Sequence, residues 1–184
     1  PENVLLAKCG PCPDLTRFNP GLRVKLADLG NSCWREKHFS AGIGTQEYRA
    51  PEVILETGYD TPCDVWSAAC LAYELATGDY LFPALVEPKD IWMLVNMTSM
   101  LGEMPTEMRE DYKNLVKKLD RAKLKDIPRV SLVQQIEECG MEEQKAEALS
   151  QWLLPMLALD PQLRATAGIA ASHAFLELGV RPAK

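Results

Sequence analysis

Two oxygen-bearing side chains sit at the ends of short apolar runs. Asn3 stands just before Val4-Leu5-Leu6, and Asp28 just after Val24-Lys25-Leu26-Ala27. If the two runs pair, an amide and a carboxylate lie at neighbouring strand ends. Mg2+ takes such hard oxygens, usually one or two from protein and the rest from phosphates and water. Asp28-Leu29-Gly30 is equally a good turn, so spacing alone leaves both readings open. The other candidate is Cys9-Gly10-Pro11-Cys12, which has the spacing of a thiol redox centre. Such a centre needs its first thiol at a helix N-terminus. Here Pro13-Asp14 and Asn19-Pro20-Gly21 follow, and these are turn residues. Zinc would need two further ligands, yet Cys33, Cys63, Cys70, Cys139, His38 and His173 are scattered singly. A Pro/Gly loop with two incidental thiols is the simpler account.

The elements that must position Asn3 and Asp28 follow from the pattern around them. The strand-like pieces Val4–Leu6 and Val24–Leu26 flank a turn-rich connector, which predicts a small antiparallel hairpin. From Ala27 to Arg49 neither helical nor strand period is present, which predicts a long surface segment. Thr61-Pro62-Cys63-Asp64 predicts a helix start, with Thr61 as N-cap. That helix carries apolar residues on every side up to Gly78, which predicts burial all round. Pro88 opens the next helix, Lys89 to Leu101, closed by Gly102. Pro105 to Arg129 is charged and weakly patterned, which predicts a surface insert. A helix over Met141 to Leu159 contains Pro155 and must kink or break there, and Thr166 caps a last helix to about Leu178. The fold class is therefore α+β, mainly α.

The 184 residues are 47% hydrophobic and 25% charged, with a net charge of −6. That balance argues against general binding to nucleic acid or anionic membrane, while permitting an acidic groove for a basic partner. No apolar run approaches the ~20 residues of a membrane span.

Five stretches, in order, resemble a protein kinase. Pro1-Glu2-Asn3-Val4-Leu5-Leu6 looks like the end of a catalytic loop, and Asp28-Leu29-Gly30 resembles the magnesium-binding D-F-G. Gly44-Thr45-Gln46-Glu47-Tyr48-Arg49-Ala50-Pro51-Glu52 is similar to the end of an activation segment. Asp64-Val65-Trp66 matches the head of the central helix, and Arg164 stands where kinases carry a buried arginine. Within the CMGC group, the stretches VKLADLGNSCW, GYDTPCDVWSAACLAYELATGDYLF and LLPMLALDPQLRATA resemble the serine/arginine-rich (SR) protein kinases.

The resemblance implies a kinase C-terminal lobe over residues 1–178 with a tail at 179–184. Its parts would be loop end and hairpin (1–27), activation segment (28–52), central helix (61–77), following helix (88–101), insert (103–140) and C-terminal helices (141–178). It implies ATP and Mg2+ as cofactors and Arg/Ser-rich proteins as substrates, with cytoplasm or nucleus as location and no direct binding of nucleic acid or membrane. Asp28 and Asn3 would hold the metal, Leu5 would floor the adenine site, and Thr45 would orient the general base. Asp64 would hold the catalytic loop, Glu52 would pair with Arg164, and Asp79 and Asp90 would belong to an acidic docking groove.

Several positions depart from the family pattern. The family loop reads H-x-D-x-K-P-E-N and this chain begins at the Pro, so the base, its lysine and the N-lobe, itself an expected partner, lie outside it. The chain alone is therefore expected to be inactive. Residues Ala7 to Arg23 replace the long spacer that many members carry, Gln46 stands where the family tends to have Arg, and Ser99 replaces a third docking acid. The alternative is a pseudokinase-like module that grips Arg-rich partners without catalysis.

Overall fold

The computed structural model describes residues 2–7, 23–119 and 129–178. Cys9-Gly10-Pro11-Cys12 and the 179–184 tail lie outside the described residues. Strands β1 (Val4–Leu6) and β2 (Val24–Leu26) pair antiparallel in the register Val4↔Leu26, Leu5↔Lys25 and Leu6↔Val24. Hydrogen bonds from Ala7 N–H to Arg23 O and from Ala27 N–H to Asn3 O, both 2.8 Å, extend the ladder at each end. Residues 27–49 form a largely exposed segment with two short 3-10 turns, Leu29–Asn31 and Gln46–Tyr48.

The helices follow as α1 (Pro51–Ile54), α2 (Pro62–Thr77), α3 (Lys89–Leu101), α4 (Thr106–Val116), α5 (Leu132–Glu138), α6 (Glu143–Leu153), α7 (Ala167–Ala171) and α8 (Phe175–Leu178). Helix α2 organises the core through Cys63, Trp66, Ala69, Cys70 and Tyr73, which recur at helical spacing and are all buried. Trp66 stacks on Phe82 with ring centroids 5.6 Å apart. Met93, Leu94 and Met97 of α3, Ile136 of α5, and Leu149 and Leu153 of α6 close around them. Each buried large side chain stabilises by about 1.5–3 kcal/mol, so this layer anchors the exposed 27–49 segment, which has little core of its own.

Four expectations need correction. Helix α2 is not buried all round: Asp64, Ala68, Leu75 and Ala76 are exposed, Leu75 at 68%. Apolar side chains confer the capacity for burial, and none of the described elements covers that face. Thr61 holds the N-cap position of α2 but does not cap it with its side chain. It is already helical (φ −44°, ψ −28°) and its hydroxyl makes no cap bond. Asp60 does the work, its carboxylate accepting Thr61 N–H at 2.7 Å and its carbonyl Cys63 N–H at 3.0 Å.

The 105–129 stretch is not simply unpatterned surface. Thr106 to Val116 forms α4, with Met108 buried and Tyr112 and Leu115 packed on the core at i, i+4, i+7. Finally, the last helix splits. Thr166 caps α7, accepting Ile169 N–H at 3.3 Å, but α7 ends at Ala171 and α8 begins at Phe175, where His173 Nδ1 accepts the Phe175 N–H. At Pro155 the chain passes from α6 into a 3-10 turn, Leu154–Leu157, as proline demands.

Candidate active site

The hairpin sets Asn3 and Asp28 at adjoining strand ends. Asn3 lies across from Ala27, whose N–H it accepts, and Asp28 is the next residue. Asp28 adopts a left-handed conformation (φ 55°, ψ 60°), uncommon for a side-chain-bearing residue and tolerated best by Asn and Asp. Both residues are exposed. Their oxygens are the hard donors that suit Mg2+. Among the described residues there is no group of three or more His, Cys, Asp and Glu to form an all-protein cage. A site completed by phosphate and water oxygens fits that donor set. Leu5, midway along β1, is 49% exposed, as are its apolar neighbours Leu6, Val24 and Leu26 to similar or greater degree.

Asp28 and Asp64 line one cavity of about 420 Å3, together with Cys33, Arg49 and Tyr59. His38 stacks on Tyr59 at 4.1 Å, and the Tyr59 hydroxyl donates to Ser40 O at 2.7 Å. Arg35 grips Asp60 with two nitrogens, at 2.8–3.0 Å, and holds that carboxyl below its usual range. These contacts pin the exposed segment to the head of α2. Sequence reasoning passed over Arg35 and Tyr59 and weighed His38 only as a zinc ligand; the available signal was Asp60 at the helix start. Burial pushes the Cys63 thiol up to about 12, so it is a neutral packing group at physiological pH.

Thr45 precedes the Gln46–Tyr48 turn. Its carbonyl accepts Tyr48 N–H at 3.1 Å, while its exposed hydroxyl makes no capping bond. Tyr48 hydrogen-bonds Glu74 of α2, and burial with that contact raises the phenol's pKa. Ser67 Oγ donates to Tyr48 O at 2.8 Å. The end of the segment is thereby tied to the central helix.

Glu52 and Arg164 meet in the core. Both are buried, and two parallel bonds of 2.7 and 2.9 Å join guanidinium to carboxylate. Arg164 also donates to Pro62 O at 2.9 Å and Ala158 O at 3.0 Å, and lies over the Trp66 ring at 5.1 Å. The arginine thus joins α1, α2 and the turn after α6. Removing one partner of such a pair strands a buried charge.

The two expected docking acids occupy different surroundings. Asp90, in the first turn of α3, accepts from Gln46 Nε2 at 2.8 Å and lies 3.7 Å from Arg49. It lines a cavity of about 760 Å3 with Glu56, Glu87 and Asp111, acids that the sequence reading did not single out. Asp79 is not among the residues lining that cavity; its carboxylate lies 3.8 Å from the Cys139 thiol at the end of α5.

A hairpin bearing Asn3 and Asp28, an exposed segment tied to a central helix, and a buried Glu–Arg clamp at its far end belong together. Residues 1–176 match the protein kinase domain family, and the chain belongs to it. It is 36% identical over 172 residues to the serine/threonine-protein kinase SKY1 of Saccharomyces cerevisiae, covering 85% of this chain and 22% of that protein. It is 37% identical over 165 residues to SRSF protein kinase 3 of Sus scrofa (84% and 29%), and 38% over 167 residues to the serine/threonine-protein kinase spk-1 of Caenorhabditis elegans (83% and 16%). The chain spans less than a third of the length of each of these relatives. No described helix is long and apolar enough to cross a membrane.

Proposed function

We propose that the chain is the C-terminal lobe of a protein serine/threonine kinase that moves the γ-phosphoryl of ATP to serines in Arg/Ser-rich proteins. The observation that carries this reading is the placement of Asn3 and Asp28 at paired strand ends, in a chain of the kinase family among whose relatives is an SRSF protein kinase. Asp28 and Asn3 would hold Mg2+, which when bound neutralises charge on the phosphates. Leu5 offers an open apolar surface to the adenine ring. Thr45, its hydroxyl uncommitted to capping, would orient the general base, and Asp64 would hold the catalytic loop on α2. The base and its lysine would come from residues ahead of Pro1 in the whole protein, and residues 1–184 alone are expected to transfer no phosphate.

Arg-rich segments would dock in the cavity at Asp90, whose described lining holds four carboxylates (Glu56, Glu87, Asp90, Asp111) and one lysine, Lys89. The same cavity supports a second reading, a non-catalytic module that grips Arg-rich partners, because its walls use none of the nucleotide-site residues. The full-length protein, assayed with Mg-ATP and an Arg-Ser repeat peptide, separates the two. Asp28→Ala is expected to cut turnover by more than about 100-fold, beyond the loss typical of a mere supporting residue at a metal site, while leaving peptide binding intact. Wild-type protein that binds the peptide yet gives no turnover would favour the second reading.

A further inference from the structure

Helix α4 presents two chemically opposed faces. Asp111, Asn114 and Leu115 line the acidic cavity beside the start of α3. Arg109, Tyr112 and Lys113, on the opposite side by helical spacing, line another cavity of about 920 Å3 beside the end of α3. Arg129, in the segment that leads into the Ser131 cap of α5, also lines that second cavity. Among the described residues its charged lining is thus three cations and one anion, Glu103, on a chain whose net charge is −6. The rest of the lining is mixed, with Met100 and Leu101 beside Thr98, Ser99, Ser131 and Gln134.

We propose that this cavity binds an acidic peptide, with aspartate, glutamate or phosphoserine side chains on Arg109, Lys113 and Arg129. Arg109 is pre-oriented, its Nε donating to Met104 O at 3.3 Å. Its contact with Glu103 is long, at 3.4 Å, and the Lys113–Glu110 pair is solvent-exposed, so a peptide carboxylate can displace either at little loss. Three cations drawn from α4 and from the approach to α5 match a peptide that carries several carboxylates. A nucleic acid would ask for more cations and stacking rings than Tyr112 alone supplies.

The test is fluorescence anisotropy on the full-length protein with a labelled peptide alternating paired aspartates with leucine, beside its asparagine counterpart. The aspartate peptide is expected to bind at least about tenfold tighter than the asparagine one, and more weakly as salt rises. Lys113→Glu with Arg129→Glu is expected to weaken it about tenfold or more, and Lys113→Ala with Arg129→Ala less so, with phosphorylation of an Arg-Ser peptide unchanged. Both positions are exposed, so folding is not at stake. Equal binding of the two peptides, indifference to both double variants, or no binding at about 1 mM peptide would overturn the proposal. So would equal competition by an oligonucleotide or by anionic lipid vesicles. Loss of kinase turnover without loss of aspartate-peptide binding would count against the active-site reading alone.

Discussion

The two cavities flanking α4 share their helices and differ in sign. One, of about 760 Å3, sets Glu56, Glu87, Asp90 and Asp111 against Lys89; the other, of about 920 Å3, sets Arg109, Lys113 and Arg129 against Glu103. Both draw one wall from α3 and one from α4. Shape alone would therefore assign them similar partners, and charge separates them. Net charge is a poor guide at this scale, because a surplus of carboxylates over the whole chain conceals a cationic face on one helix.

Changes that touch one cavity alone should break the pairing. The largest effect is expected from Glu52→Gln, which leaves Arg164 buried without its carboxylate. The loss should be about 3–5 kcal/mol in chemical denaturation. Ile54 and Leu55, which α1 and its C-cap contribute, wall the acidic cavity but not the basic one. In whatever fraction remains folded, Arg-peptide affinity should thus fall before aspartate-peptide affinity. Equal losses would mean that the two sites are not separable.

Asp90→Lys with Asp111→Lys comes next, lowering Arg-Ser peptide affinity about tenfold, or 1.4 kcal/mol, with aspartate-peptide binding untouched in the same titrations. The smallest change is Gln46→Ala. It releases Asp90 from a 2.8 Å hydrogen bond and should tighten Arg-peptide binding about twofold, the low end of what one net hydrogen bond contributes. Calorimetry that gave a weaker complex would instead make Gln46 part of the contact.

Much of the scaffold was legible from local chemistry. Helix α3 runs from Lys89 to Leu101 as read, because Pro88 and Gly102 bracket it, and Gly102 takes φ +105°, a conformation that favours glycine. Pro155 broke α6 for the same kind of local reason. Helix α4 was missed because its apolar stripe is narrow, Met108, Tyr112 and Leu115 amid charges. Thr61 was misjudged because the cap role passed to Asp60, whose carboxylate also takes Arg35, 25 residues earlier. The site divides likewise. Pairing of the two short runs followed from their pattern, whereas the Glu52–Arg164 contact came only through family resemblance. Nothing in the order of residues announces that Asp90 would face Gln46 and Arg49 while Asp79 lies against Cys139. Those outcomes are decided by tertiary packing.

The Glu52–Arg164 pair joins positions 112 residues apart. A ribosome must therefore release most of the domain before the end of the exposed 27–49 segment can be locked, and until then the loop it closes is held open by chain entropy. Any shortened product that stops before Arg164 would keep every residue proposed above for the nucleotide site, yet lack the fastener that makes their arrangement durable.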